Sequence, residues 1–390
     1  MSATPTETLA AVCPVCGATP PVLARFCAAC GRSLPQAGLM PVSGGLRARW
    51  EAPVADAPLG HLLCLGPFVV SLGRGGMLHA FHESSSTPRV SQRLPVGEYE
   101  TAARLLDGCL VAASTRALVA VDLVPLLTGR RVAVPRDRHH GLPGRPVSQI
   151  ATDGRGRVAV ACRSGGRTEI LLFETEPRRG LELRKAFTPS NPVPGEAFWH
   201  LWLTPERLMA GQPGGSVRTW ALPSCTPAGD IPIPGGLGPL RLPRTDVPVA
   251  LTSDESLLLL EPDLPEGTRL LYRPDSGTLW SWTLEERELY ACLDRTCVRV
   301  AVDAAASASA DLPGQDYSVL PPVRVAGGAV LLTQDGHLVV VAPEAGSLRI
   351  RSAERLPGVS DPVRVAPTCT DRTLFLWIPG SGIRAMEPVP

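Results

Sequence analysis

Lysine is almost missing from this chain: Lys185 is the only one, and arginine supplies the rest of the basic charge. With abundant alanine, proline and glycine, that bias is what GC-rich bacterial coding produces, so it speaks to origin rather than to function. A dominant charge sign is missing too. Lysine plus arginine number 38 against 37 acidic residues, a net +1. Nothing in that balance advertises nucleic acid, an anionic membrane or an acidic substrate. No run approaches the roughly 18 continuous apolar residues that a membrane-crossing helix needs. The start, Met1-Ser-Ala-Thr-Pro-Thr-Glu-Thr, lacks a basic stretch followed by an apolar one, which argues against a secretory leader. A cytoplasmic location and no membrane partner are the resulting expectations. Helical periodicity is also scarce beyond residue 45.

What the chain does have is eleven cysteines, unevenly placed. Seven are scattered singly through apolar segments such as His61-Leu-Leu-Cys64-Leu and Ala159-Val-Ala-Cys162. In a reducing compartment such cysteines behave as small buried hydrophobes, not as a disulfide framework. The other four form one compact set, Cys13-Pro-Val-Cys16-Gly17 and Cys27-Ala-Ala-Cys30-Gly31. A chain that turns over two intervening residues points both sulfurs at one centre, and two such turns give the four ligands of a tetrahedral zinc ion. Gly17 and Gly31 follow the second cysteine of each pair, where the turn favours positive φ. An iron–sulfur centre and a redox Cys-x-x-Cys pair are the chemical alternatives. Zinc fits better, given the glycine after each pair and so small a surrounding segment, which should fold only as it binds the metal. We therefore expect one structural Zn2+ on Cys13, Cys16, Cys27 and Cys30.

These residues, with Arg25-Phe26 and Arg32-Ser33-Leu34, resemble the zinc-ribbon modules found at the ends of many bacterial proteins. The resemblance covers about twenty-five residues and implies zinc without implying a partner. Arg25 and Arg32 are offset by the net −2 of four thiolates on zinc, and Phe26 is the lone aromatic. That composition disfavours nucleic-acid binding, which needs a basic face with stacking rings.

Residues 35–45 are rich in turn formers and read as a linker. Beyond them, apolar runs of four to seven residues are bounded by Gly, Pro, Asp and Ser, the pattern of strands. Groups of such runs open near His61, Thr101, Val147, Ala197, Gly236, Gly277, Val319 and Asp361. Four strands per forty to fifty residues is the signature of propeller blades. Gly215-Ser-Val-Arg-Thr-Trp220 resembles the third strand of a WD40-type blade, without the usual following Asp. Gly277-Thr-Leu-Trp280-Ser-Trp282 and Gly336-His-Leu-Val-Val-Val echo it. The last group has three strands, so 46–51 is expected to supply its fourth and close the ring. The expected architecture is all-β: a zinc ribbon over 1–34 with its metal site at 13–31, the linker, and a degenerate WD40/PQQ-like propeller over 46–390. Eight blades are expected, with seven as the alternative.

The chain offers little obvious chemistry. His79 and His82 sit at an odd offset in one strand and face opposite ways. His139 and His140 fall in a basic stretch, 136–145, that reads as a solvated loop. Gly73-Arg-Gly-Gly76 precedes no helix, so a turn is preferred over a phosphate cradle. Arg273-Pro-Asp275-Ser-Gly277-Thr-Leu-Trp280 partly resembles the Asp-box of sialidase-type propellers, occurs once, and reads as a turn. Cys292 and Cys297 read as core positions flanking a hairpin turn. The regular tryptophan repeat of quinone-dependent dehydrogenase propellers is missing. No catalytic or cofactor-binding residue is singled out, and a non-catalytic scaffold for other proteins is favoured. The alternatives are a propeller enzyme with its site at the central channel and a nucleic-acid-associated factor using the ribbon. Oligomeric state leaves no mark in the sequence.

Overall fold

Why this chain forms strands follows from where its apolar runs end up. In His337–Glu344, Leu338 and Val340 pack on one side while Val339 and Val341 pack on the other. A strand covered on both faces reads as an unbroken apolar run rather than as an alternation. The outermost strands, by contrast, face water. Ser347–Arg355 and Thr226–Ile231 are exposed along most of their length, which explains their polar composition.

The computed structural model describes residues 40–389, apart from 43, 96–97, 102–103, 107–108, 128–138, 154–155, 177–179, 190–197, 240, 242–247, 286, 303–305 and 314–319. These residues form an eight-bladed all-β propeller. Blades 1 to 7 comprise residues 63–93, 104–141, 145–187, 200–231, 249–272, 279–311 and 323–355; blade 8 comprises 368–388. Each blade is an antiparallel sheet whose strands run outward in sequence order, except that blade 8 takes the first strand of the chain as its outermost. The described part of blade 5 has three strands, extended inward by the bridge between Leu237 and Thr252. One short helix, Leu123–Leu127, packs its buried Leu123 and Leu127 beside blade 2.

The core is distributed around the ring rather than centred. Each of eight apolar clusters spans two neighbouring blades. Val70 and Leu78 of blade 1 meet Leu110 and Val119 of blade 2; Met209 and Val217 of blade 4 meet Ala250 and Leu258 of blade 5. The eighth interface joins Phe375 and Trp377 of blade 8 to Val69 and Phe81 of blade 1, so the ring is closed. A register shift recurs between the two outermost strands of blades 1, 3, 4, 5, 7 and 8. One extra residue there tightens the twist, which lets the outer strand splay away from the axis.

Closure uses the chain's beginning. Leu46–Ala52 lies antiparallel to Gly382–Pro388 as the outermost strand of blade 8, from Leu46 opposite Pro388 to Ala52 opposite Ile383. The segment read as a linker is described from residue 40 onward, and there it is packed. Met40 and Val42 are buried in the cluster between blades 7 and 8. The Ala326 amide donates to the Met40 carbonyl at 2.9 Å, beside a parallel bridge from Pro41 to Ala326. Burying Met40 removes its side chain from water, which outweighs the turn-forming composition around it. The expected zinc ligands Cys13, Cys16, Cys27 and Cys30 lie outside the described residues.

Two readings of individual segments are corrected. Gly277–Trp282 does not echo a third strand: Leu279–Glu285 is the innermost strand of blade 6, which agrees with the strand period that opens a blade near Gly277. Gly277 at φ +91° closes the connection from blade 5, and this glycine-then-tryptophan spacing is the same as that of a hairpin turn inside a blade. His139–Gly141 is not loop but the outer strand of blade 2, paired with Ala117–Val119. There the His140 ring packs edge-on against Phe173 of blade 3 at 5.1 Å.

Candidate interaction face

Antiparallel blades place two kinds of loop at opposite ends of the ring. One end carries the turns between second and third strands and the connections from blade to blade. We call it the connection face. The opposite hairpin face carries the other two turns of each blade and both ends of the described chain, since Leu46 starts opposite Pro388.

On the connection face, short hydroxyl-centred turns fix the rim. The Thr252 hydroxyl bonds to the Asp254 carboxylate and accepts from the Ser256 amide at 2.9 Å. Thr333 repeats this with Asp335 and with the His337 amide at 2.8 Å. The Thr252 hydroxyl holds Asp254 below the usual carboxylate range. Burial pushes Asp335 up, but hydrogen bonds from Thr333 and His337 prevail and leave it lowered. Both turns therefore present ionised, locally satisfied carboxylates.

Between blades 4 and 5 this face opens into an apolar cleft of about 630 Å3, lined by Phe198, Pro213, Leu237, Gly238, Pro239 and Ser253. Its walls are held by backbone: Gly214 donates to the Leu237 carbonyl at 2.7 Å, and Leu237 donates to Gly215 at 3.2 Å. Two glycines permit that close approach. Gly236 has φ +81°, and a β-carbon on it would lie 2.8 Å from the Gly214 oxygen; one on Gly238 would lie 2.6 Å from the Thr252 oxygen. Gly236→Ala is expected to cost about 1–3 kcal/mol of backbone strain, with the displaced turn added to it. Gly235 also has positive φ but open space around it, so Gly235→Ala should cost less. Urea unfolding midpoints of the two variants check the ranking, and equal midpoints would refute the close-packing account.

Behind the cleft lies His200, buried and stacked on Trp202 with ring centroids 5.6 Å apart. Trp202 donates to the Val249 carbonyl at 3.2 Å, tying blade 4 to blade 5. Burial drives the His200 pKa down to about 4 against the opposing hydrogen bond with the Gly238 backbone. The ring is therefore neutral near pH 7 and serves as packing.

A second feature sits one blade further on. The Arg241 guanidinium lies 5.4 Å from the Trp280 ring centroid, donates to the Leu279 carbonyl and pairs with Glu255 at 3.3 Å. Glu255 also accepts from the Leu279 amide at 3.0 Å, and Trp280 donates to Asp294 at 3.2 Å. Two large rings are thus presented to solvent on this face, Phe198 at 45% and Trp280 at 38% exposure. The sequence singled out Trp280 as part of a blade repeat and of an Asp-box-like turn, but not Phe198, Pro213 or Leu237. Their only signal was an aromatic residue placed in a connection instead of a strand.

The other candidates disperse. In blade 1, His79 reaches Ser91 at 3.3 Å while His82 bonds Ser84 at 2.7 Å and packs edge-on against Phe68. Gly73–Gly76 is the turn between the second and third strands of that blade. Arg273 bonds Ser256 at 3.1 Å and pairs with Asp254 at 3.5 Å in the connection from blade 5 to blade 6. Among the described residues no three His, Cys, Asp or Glu side chains gather as metal ligands would, and no helix is long and apolar enough to cross a membrane.

Solved structures similar to this chain in fold include a WD40 domain. The computationally designed Ika8 protein is similar at a TM-score of 0.65 and 12% identity, covering 87% of this chain and 99% of that one. Sqt1 of Saccharomyces cerevisiae is similar at 0.59 and 12%, covering 90% and 100%. The C-terminal WD40 domain of Sif2 is similar at 0.64 and 10%, covering 90% and 100%. At such identities the likeness is one of fold. No family model matches the chain, and no curated protein matches it in sequence.

Proposed function

We propose that this protein is a non-catalytic interaction scaffold of the bacterial cytoplasm, docking other proteins on the connection face of blades 4 to 6. The observation that carries this reading is the pairing of solvent-exposed Phe198 and Trp280 with an apolar cleft held rigid by backbone hydrogen bonds. Aromatic anchors beside a preformed pocket are the usual centre of a protein interface. The fold suits the role, since WD40-like propellers commonly serve as such platforms.

The second contact point is the amino-terminal segment, in which Cys13, Cys16, Cys27 and Cys30 hold one structural zinc ion. Four thiolates leave no open position on the metal, so the zinc orders a docking knob and performs no chemistry. The described chain begins at the hairpin face, where Met40 meets Ala326.

Affinity purification from the native cell tests this, comparing the wild-type chain with the Phe198→Ala/Trp280→Ala variant. Hot-spot truncations of this kind weaken binding by about thirtyfold or more, so partners held by the cleft should disappear while the circular-dichroism spectrum stays unchanged. The same partners on both chains, or none on either, would overturn the assignment.

A further inference from the structure

Blade 6 holds a pair of thiols that the docking role does not use. Its second and third strands, Glu288–Leu293 and Thr296–Ala301, are joined by the two-residue turn Asp294-Arg295, and Cys292 lies directly opposite Cys297. Both are free thiols, fully buried among Tyr290, Ala329, Leu331 and Val339. Of the seven described cysteines these are the only two in register with each other. In a two-residue hairpin, the pair flanking the turn exchanges backbone hydrogen bonds. The next pair inward does not, and there the α-carbons approach to about 4.5 Å with side chains on one side of the sheet. That lies at the short end of the range a disulfide spans. The thiols are already in hydrogen-bonding contact, and that contact together with burial raises the Cys297 pKa well above its ordinary value.

We propose that Cys292 and Cys297 are a modification site: they form a cross-strand disulfide by exchange with a small disulfide oxidant such as glutathione disulfide. One cysteine loses its proton, and its sulfur attacks the oxidant. The glutathione S–S bond breaks, a mixed disulfide forms and one glutathione leaves. The second cysteine, deprotonated in turn, attacks the protein sulfur of that mixed disulfide and releases the second glutathione. Two protein thiols are oxidised and one glutathione disulfide is reduced to two thiols, which balances atoms and electrons. Burial makes opening of the hairpin the gate to this reaction, because the exchanging species is an accessible thiolate. The turn that must open carries Asp294, whose amide donates to the Thr278 carbonyl at 3.2 Å and whose carboxylate holds Trp280. Once formed, the bond ties together the strands that present this turn on the connection face.

Peptide mapping of the full-length protein tests the proposal, since trypsin cleaves after Arg295, between the two cysteines. The reduced protein is incubated with glutathione disulfide, with and without urea below the unfolding transition. Remaining thiols are then alkylated in strong denaturant and the chain is digested without reduction. Peptide 288–295 should appear linked to 296–299, severalfold faster with urea, and the link should vanish on reduction. In Cys297→Ala, Cys292 should retain glutathione and yield no linked peptide. The proposal is overturned if amide exchange shows the hairpin opening yet both wild-type cysteines are recovered as alkylated thiols or as separate glutathione adducts.

Discussion

A chain beginning at residue 53 is expected to lose the cooperative unfolding transition that a chain beginning at residue 40 retains. The difference is one strand, Leu46–Ala52 with its lead-in from Met40, yet that strand is the outermost layer of the last blade. Removing it leaves Gly382–Pro388 as an unpaired edge and strips Leu46 and Met40 from the cluster between blades 7 and 8. Trp50 is lost as well. Its ring lies 5.9 Å from Phe81 of blade 1 and 6.0 Å from Phe375 of blade 8, and its indole donates to the Glu83 carbonyl at 2.8 Å. Trp50 therefore bridges the last blade to the first. Glu51, which pairs with the buried Arg384 at 3.1 Å, goes with it. Truncating a packed tryptophan alone costs about 3–5 kcal/mol, and a whole domain is stable by only about 5–15 kcal/mol. Calorimetry of the two truncated chains decides the matter. Equal midpoints would mean that the ring does not depend on this strand.

The second large effect concerns the amino-terminal cysteines. Cys27→Ser, or a strong chelator, is expected to release the one bound zinc and to make the first forty residues protease-sensitive, while the unfolding midpoint of the propeller stays where it was. A segment of some twenty residues buries too little apolar surface to fold alone. Zinc binding to such a segment contributes about 10–16 kcal/mol, which is also its folding free energy. The propeller draws its stability from eight interblade clusters among the described residues, none of which needs that metal. Metal analysis with limited proteolysis provides the readout. A zinc-free preparation whose first forty residues resist protease as before would defeat the zinc-ribbon reading.

Blade architecture was legible because its determinants are local. The groups opening near His61, Thr101, Val147 and Val319 fall within a few residues of blades 1, 2, 3 and 7. Apolar runs of strand length and the turns between them are set by neighbouring residues. The same locality explains the errors. Gly277-Thr-Leu-Trp280 has the local spelling of a hairpin turn and third strand although the strand period opens a blade there, and its pairing with Leu293 decides for the first strand. His139 and His140 looked like loop because outer strands face water and carry no apolar run. Met40 looked like linker because one buried side chain among turn formers has no periodicity to reveal it.

The sequence by itself determined the class of fold and the strand reserved for closure and narrowed the blades to eight or seven, since period, run length and turn residues are read a few positions at a time; the structure decided on eight. The sequence also singled out the four cysteines, because metal-ligand spacing is local in the same way. Tertiary structure decided the rest. Phe198, Leu237 and Ser253 form one cleft only when two blades stand side by side, and Arg241 reaches Trp280 only across the next interface. Which loops share a face depends on strand direction, and which residues meet across it depends on closing the ring. Both are long-range facts, written in contacts between residues tens or hundreds of positions apart.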